Sequence, residues 1–263
     1  MTSTADRRTT ALTGSASDIG LALRERLERA GERVIGIDLA GAEVAADLSS
    51  PAGRQAAVDG VLRACDGRLD GVVACAGVGP QHDDPTRIVA VNYFGAVALL
   101  AGLRPALARG AQPAAVAVAS NATTLTPGID GPLAAACLDG DEAEARRLAA
   151  GLDGTSTYAG SKLGLVRWVR RQAIAADWGG AGIRLNAVAP GATLTPLLQG
   201  GLDHPLMGAA IRGLPIPLGG GFAGPEAIAA PIAFLLGPDA AFCCGSVLFV
   251  DGGSDALMRP DAI

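Results

Sequence analysis

Tyr158 and Lys162 stand four residues apart in the run Tyr158-Ala159-Gly160-Ser161-Lys162, so on a helix both side chains share one face. A free phenol titrates near ~10, and a neighbouring ammonium lowers that value by stabilising the phenolate. The pair is a candidate general acid/base for work near neutral pH. Ser120 ends an apolar run that starts at Ala114, and a hydroxyl at such a strand end can hydrogen-bond a reacting oxygen. His82 and His204 are the only histidines. With them no Ser-His-Asp triad and no metal site is expected.

A second constellation suits phosphate. Thr13-Gly14-Ser15-Ala16-Ser17-Asp18-Ile19-Gly20 joins a strand-like run to a helical pattern. A glycine-bearing strand-to-helix turn lets backbone approach a pyrophosphate, and the helix N-terminus offers N–H donors and a favourable dipole. Gly14, Ser17, Asp18 and Ile19 are the candidate contacts. Asp38 ends the next apolar run, about twenty residues on, where a carboxylate accepts from adenosine ribose hydroxyls and repels a 2′-phosphate. Leu39 follows it, and no Arg or Lys is placed to receive such a phosphate. NAD(H) is the expected cofactor, in preference to NADP(H).

These residues need a frame of alternating strands and helices. Strands are expected at Thr9 to Thr13, Arg33 to Asp38, Leu69 to Cys75, Ala114 to Ser120, Ile183 to Val188 and Ser246 to Val250. Helical spacing predicts helices at Ile19 to Ala30, Pro51 to Cys65, from about Arg87 towards Gly110, Tyr158 to Trp178, Pro205 to Arg212 and Pro225 to Leu236. The alternation predicts an α/β, single-domain Rossmann fold over 1–263: a doubly wound parallel sheet with helices on both faces. The stretch 121–157 breaks the rhythm. Its Ala-rich, charged middle, Pro132 to Ala150, predicts one or two inserted helices, because a structureless loop of that length is rare in a compact domain.

Composition suits this frame. Of 263 residues, 49% are hydrophobic and only 3% aromatic, so the core must be built from Ala, Val, Leu and Ile. A formal net charge of −5 without a long basic run argues against nucleic acid or an anionic membrane as partner. The polar start, Met1 to Arg8, lacks a signal-peptide core, and no apolar stretch is read as a membrane span, Ala227 to Leu236 being broken by Pro231. Five cysteines, with Cys243 and Cys244 adjacent and no metal-ligand spacing, read as reduced packing residues of a cytoplasmic protein.

The Thr13 to Gly20 turn, Cys75-Ala76-Gly77, Val91-Asn92, Ser120, Tyr158-x-x-x-Lys162 and Pro190-Gly191 occur in an order that resembles the short-chain dehydrogenase/reductase family along essentially the whole chain. Further stretches, among them Gly36-Ile37-Asp38, Gly79-Pro80-Gln81 and Asp251-Gly252-Gly253, resemble its subgroup of bacterial 3α-hydroxysteroid dehydrogenases/carbonyl reductases, which also carries an insertion between Ser and Tyr.

The resemblance implies roles. Tyr158 exchanges the substrate proton, Ser120 orients the substrate oxygen, and Lys162 tunes Tyr158 and holds the nicotinamide ribose. Asn92 supports a water-linked proton relay to Lys162. Asp47 and Leu48 border the adenine, the backbone of Ala76 and Gly77 the adenosine ribose, and Thr193 and Thr195, after Pro190-Gly191, the nicotinamide carboxamide. Leu194, Leu197, Leu198, Leu202, Leu206, Met207 and Ile211 fall in the segment, about 193–221, that resembles the mobile substrate loop; an apolar lid there suits a large, flat alcohol or ketone. The implied reaction is NAD-dependent interconversion of a secondary alcohol, a 3α-hydroxysteroid, and its ketone, in a homodimer. A terpene, cyclic or xenobiotic alcohol is an alternative substrate. One departure opens another alternative: the family has Gly where this chain has Asp18, and a charge beside pyrophosphate fits a dinucleotide-binding protein with little turnover.

Overall fold

A computed structural model of the protein describes residues 7–205, 207–219 and 221–262. The polar opening, 1–6, and Leu206 of the expected lid lie outside the described residues. Seven strands form one sheet: β1 (Thr9–Thr13), β2 (Arg33–Asp38), β3 (Val44–Ala45), β4 (Gly71–Ala74), β5 (Ala114–Val118), β6 (Arg184–Pro190) and β7 (Val247–Val250). Their order is β3-β2-β1-β4-β5-β6-β7 and every pairing is parallel. The order reverses between β1 and β4, the crevice where open α/β sheets take ligands. The fold is the expected single-domain α/β Rossmann architecture, with one strand more than the sequence predicts; β3 is a two-residue edge.

Alternation along each strand sorts the core into two layers. In β5, Ala115 and Ala117 face one cluster and Ala114, Val116 and Val118 the other. The first layer packs under α2 (Pro51–Ala64), α4 (Ala96–Leu107) and α8 (Gly154–Ala173); the second packs under α1 (Asp18–Arg29) and α11 (Pro225–Leu236). Leu23, Leu99, Leu103, Leu165 and Ile232 have no exposed surface, each burial being worth about 1.5–3 kcal/mol.

The run α3 (Pro85–Val89), a π-helical turn at Ala90–Gly95 and α4 make one continuous helix. By length and composition it could cross a membrane, contrary to the sequence reading, yet Val89, Leu99, Leu100 and Leu107 are wholly buried in the sheet's first layer. Nor does Pro231 break its segment: α11 runs through it. The stretch after β5 folds as α5 (Ala122–Leu125), α6 (Pro132–Asp139) and α7 (Glu142–Ala149). Gly140 turns left-handed to end α6, and Asp141 caps α7 by accepting from Glu144 N–H at 2.9 Å. Glu142 and Glu144 in the first turn of α7 and Arg146 and Arg147 in its last complement the helix dipole.

α8 begins at Gly154, a turn before the expected start at Tyr158, because Asp153 caps it: its carboxylate accepts from Ser156 N–H at 2.9 Å and Ser156 Oγ at 2.8 Å. It also ends earlier, at Ala173, and Trp178 is buried in the following turn. The expected helix at Pro205 to Arg212 is the shorter α10 (Gly208–Arg212), an unexpected α9 (Pro196–Asp203) precedes it, and a short α12 (Ser254–Met258) follows β7.

Candidate active site

The carboxyl ends of β1, β2, β4, β5 and β6 open into one cleft of about 600 Å³. At its near end the turn after β1 brings Gly14, Ser17, Asp18 and Ile19 to the surface of the cleft. Gly14 has φ +69, and a Cβ there would come within 3.1 Å of the Ala76 backbone; a Cβ on Gly20 would lie 1.9 Å from the Gly14 carbonyl oxygen. Both glycines let α1 start tight against the sheet. Ser17, at the N-cap, makes no side-chain capping bond, so the first N–H groups of α1 keep their capacity for an anion.

Asp18 has φ 52, the left-handed region that favours glycine and that Asp tolerates better than most residues. Burial pushes its carboxyl above the ordinary range; the Ser17 hydrogen bond opposes this and the Asp38 charge adds to it. The Asp38 carboxylate accepts from Ala16 N–H at 3.0 Å and Leu39 N–H at 2.7 Å. Leu39 is exposed beside it. Asp47, Leu48, Ala76 and Gly77 complete this end.

At the centre stand Ser120, Tyr158 and Lys162, with Pro190 and Gly191. Ser120 Oγ accepts from Ala122 N–H at 3.1 Å, which leaves its proton to donate, and its hydroxyl stands near that of Tyr158, where it favours the phenolate. Lys162 Nζ lies 6.0 Å from the Tyr158 ring centroid and donates to the Val118 carbonyl at 2.7 Å. Burial lowers Lys162 to about 8 and raises Tyr158, the Ser120 hydrogen bond pulling Tyr158 the other way. Burial, rather than the Lys162 ammonium, sets the direction of the Tyr158 shift at this distance. Burial also lifts the Cys75 thiol to about 12, so it stays protonated.

Asn92 stands apart from these. Its amide donates to the Val78 carbonyl at 2.9 Å and its side-chain oxygen accepts from Val78 N–H at 2.8 Å. It does not line the cleft, and no direct bond joins its side chain to Lys162; its amide and its oxygen each bond Val78. Only Gly77 separates the two: a Cβ there would lie 3.3 Å from Asn92 Oδ1 and 3.7 Å from Lys162 Nζ.

The far end is apolar, lined by Leu125, Leu197, Leu198, Met207, Ile211 and Leu214. Thr193 and Thr195 border it, but both hydroxyls are engaged locally. Thr193 Oγ1 donates to the Gly191 carbonyl at 3.0 Å; Thr195 Oγ1 donates to the Thr193 carbonyl and caps α9 by accepting from Leu198 N–H, each at 3.2 Å. Leu194 is exposed. Arg87, Thr155 and Gln81 also line the cleft and were not among the site residues that the sequence names. Thr155 is one turn before Tyr158, a spacing that could have flagged it; Arg87 and Gln81 arrive through long-range contacts with Asp47 and Leu197.

Similar proteins bear on this geometry. A family profile described as enoyl-(acyl carrier protein) reductase matches residues 144–255. The 3-alpha-hydroxysteroid dehydrogenase/carbonyl reductase of Comamonas testosteroni is 46% identical over 95% of this chain and 97% of its own. A short-chain dehydrogenase/reductase of Pyricularia oryzae is 33% identical over 92% of this chain and 89% of its own. The chain belongs to the short-chain dehydrogenase/reductase family. Among solved structures, the 3-alpha-hydroxysteroid dehydrogenase of Pseudomonas sp. B-0831, complexed with NADH, superposes with a TM-score of 0.94 at 53% identity, covering 97% of this chain and 100% of that one. The chain is thus an oxidoreductase of the alcohol–carbonyl type.

Proposed function

We propose that this short-chain dehydrogenase/reductase oxidises a 3α-hydroxysteroid, or a secondary alcohol of like size and flatness, to its ketone with NAD⁺, and runs the reverse reduction with NADH. The observation that carries the reading is one cleft with two chemistries: Ser120, Tyr158 and Lys162 at its centre and a predominantly apolar wall of Leu, Met and Ile side chains beyond them. The relatives named for 3-alpha-hydroxysteroids support the same substrate.

The residues at the near end fit a nicotinamide dinucleotide. The uncapped start of α1 suits the pyrophosphate, and the Asp38 carboxylate, held by two backbone donors, suits a ribose diol and repels a 2′-phosphate. Asp47 and Leu48 would hold the adenine, Ala76 and Gly77 the adenosine ribose, and Gly191, Thr193 and Thr195 the nicotinamide end. When bound, NAD⁺ supplies the hydride acceptor. Ser120 donates to the substrate oxygen and fixes it against Tyr158, whose phenolate takes the alcohol proton in oxidation and whose hydroxyl returns it in reduction. Lys162 holds the nicotinamide ribose and places a positive charge near the phenolate as it forms. Asn92 serves the proton path through its hold on the Val78 backbone, which keeps the Gly77 turn against Lys162.

The protein acts as a homodimer in the cytoplasm. Five free cysteines suit a reducing compartment, and an apolar surface around β7, argued below, suits a second copy.

Initial rates of reduced-cofactor formation with NAD⁺ or NADP⁺, across 3α- and 3β-hydroxysteroids, terpene alcohols and simple cyclic alcohols, test the reading. Expected are NAD⁺-selective turnover of 3α-hydroxysteroids and a roughly 10²- to 10⁴-fold loss in Tyr158→Phe. Turnover confined to another class discards the steroid; no turnover with any alcohol discards the catalytic reading.

A further inference from the structure

The loop 47–50 carries Asp47 and Leu48 into the cleft, and its anchors from α2 and α7 meet at one carboxylate on α7, in the segment between β5 and α8. Glu142, the first residue of α7, accepts from Arg54 Nη2 through both oxygens, at 2.7 and 2.8 Å, and from Arg146 Nε at 2.9 Å. Each arginine then reaches the loop. Arg54 Nε donates to the Ser50 carbonyl at 3.1 Å, and Arg146 Nη2 to the Ser49 carbonyl at 2.6 Å. On the cleft side, Arg87 donates to Ser49 Oγ at 3.1 Å and pairs with the Asp47 carboxylate at 3.1 Å. Ser49 N–H closes the ring onto Asp47 Oδ1 at 2.9 Å.

One carboxylate on α7 therefore fixes two guanidinium groups, and these fix the backbone that presents Asp47 and Leu48. The arrangement is stiff. Arg54 is only 6% exposed and lies 5.9 Å from the Phe94 ring centroid, so loss of its carboxylate leaves a buried cation to find a new partner, and Ser49 and Ser50 are the nearest to be disturbed. Charge-assisted bonds of this kind are shorter and stronger than neutral ones.

We propose that Glu142 is a positioning residue for the adenine end of the cofactor cleft, acting through Arg54 and Arg146 on loop 47–50. The helices between β5 and α8 are then part of the cofactor site, although none of α7 lines it. This rests on the reading that the cleft takes NAD(H) with its adenine at Asp47 and Leu48.

Two variants test it. Glu142→Gln keeps the side-chain shape and removes the charge; Arg146→Met keeps the apolar stem, cuts the links to Glu142 and Ser49, and leaves the Arg54–Glu142 pair in place. Each folded protein is titrated with NADH, read by its fluorescence, and with ADP-ribose, read by calorimetry. Both ligands are expected to bind roughly 3- to 30-fold more weakly, by a common factor, with the KM for the alcohol unchanged at saturating NAD⁺. Mere loosening of α7 would lower the melting temperature and leave ADP-ribose affinity alone. Unchanged ADP-ribose affinity in folded Arg146→Met, or a loss seen with NADH and not with ADP-ribose, overturns the proposal; if Glu142→Gln does not fold, Arg146→Met decides. If the unsubstituted protein binds neither ligand, the cofactor reading itself fails. If it binds both and the variants match it, only the positioning role falls.

Discussion

Asp18 occupies a backbone position made for glycine, at φ 52, and brings a carboxyl to the turn that would hold pyrophosphate. Its carboxyl sits above the ordinary range through burial, with Asp38 adding to the push. The neutral form carries no repulsion toward phosphate, so NADH binding should tighten as pH falls through the Asp18 titration. Asp18→Gly should bind NADH about fivefold more tightly at neutral pH, the equivalent of ~1 kcal/mol for a like-charge contact in water. It should also lose the Asp18 part of the pH dependence. Fluorescence titrations of both proteins from about pH 8 down to about pH 5 check this; weaker binding in Asp18→Gly would mean that the carboxyl helps hold the cofactor. At this scale most of the site was legible in the sequence. Gly14, Asp38, Ser120 and Tyr158 each sit in a short motif at a strand end or helix start, where local order fixes what they face. Arg87 and Gln81 were not legible, since their roles depend on contacts with Asp47 and Leu197, 40 and 116 residues away.

The helix that carries Tyr158 and Lys162 owes its register to residues outside it. Asp153 caps α8 through Ser156, its carboxylate held below the ordinary range by those hydrogen bonds. Tyr158 then falls in the second turn rather than at the frayed start, as the sequence pattern alone suggested. Asp153→Ala should cost about 1 kcal/mol, a fall of roughly 2–4 °C in melting temperature for a chain of this size. It should lower kcat more than it raises the KM for NAD⁺, because Tyr158 sits one turn from the lost cap while the near end of the cleft is built on β1, β2 and α1. Thermal melts with steady-state kinetics check both, and an unchanged kcat would separate the cap from catalysis. Element types were readable from apolar spacing, but ends were not. Caps such as Asp153 and Thr195, and turns such as Gly140, set them through single hydrogen bonds or one positive φ that periodicity does not register. The two-residue β3 is too short to show any period at all.

At the scale of the whole molecule, the helices before α8 decide which face is left for a partner. Gly160 and Gly164 on α8 are covered from within: a Cβ at either would meet Leu133 or Cys137 of α6, at 3.1 and 3.0 Å. A second copy cannot use that face. On the opposite flank, β7 closes the sheet with a free edge and no fully buried residue, whereas every residue of β5 is buried. Phe234 on α11 is 46% exposed, Leu248 on β7 is 38% exposed, and Phe242 between them is fully exposed. In a chain with so few aromatics, two exposed Phe beside an open edge strand are a liability unless covered. A second copy related by two-fold symmetry would cover α11 and β7 with the same elements. Light scattering after size exclusion should give a dimer at micromolar concentration, and Phe242→Asp with Leu248→Lys should give a folded monomer that keeps NADH affinity, since neither residue lines the cleft. A monomer in the unsubstituted protein would refute the homodimer. A dimer that survives both substitutions would move its interface elsewhere.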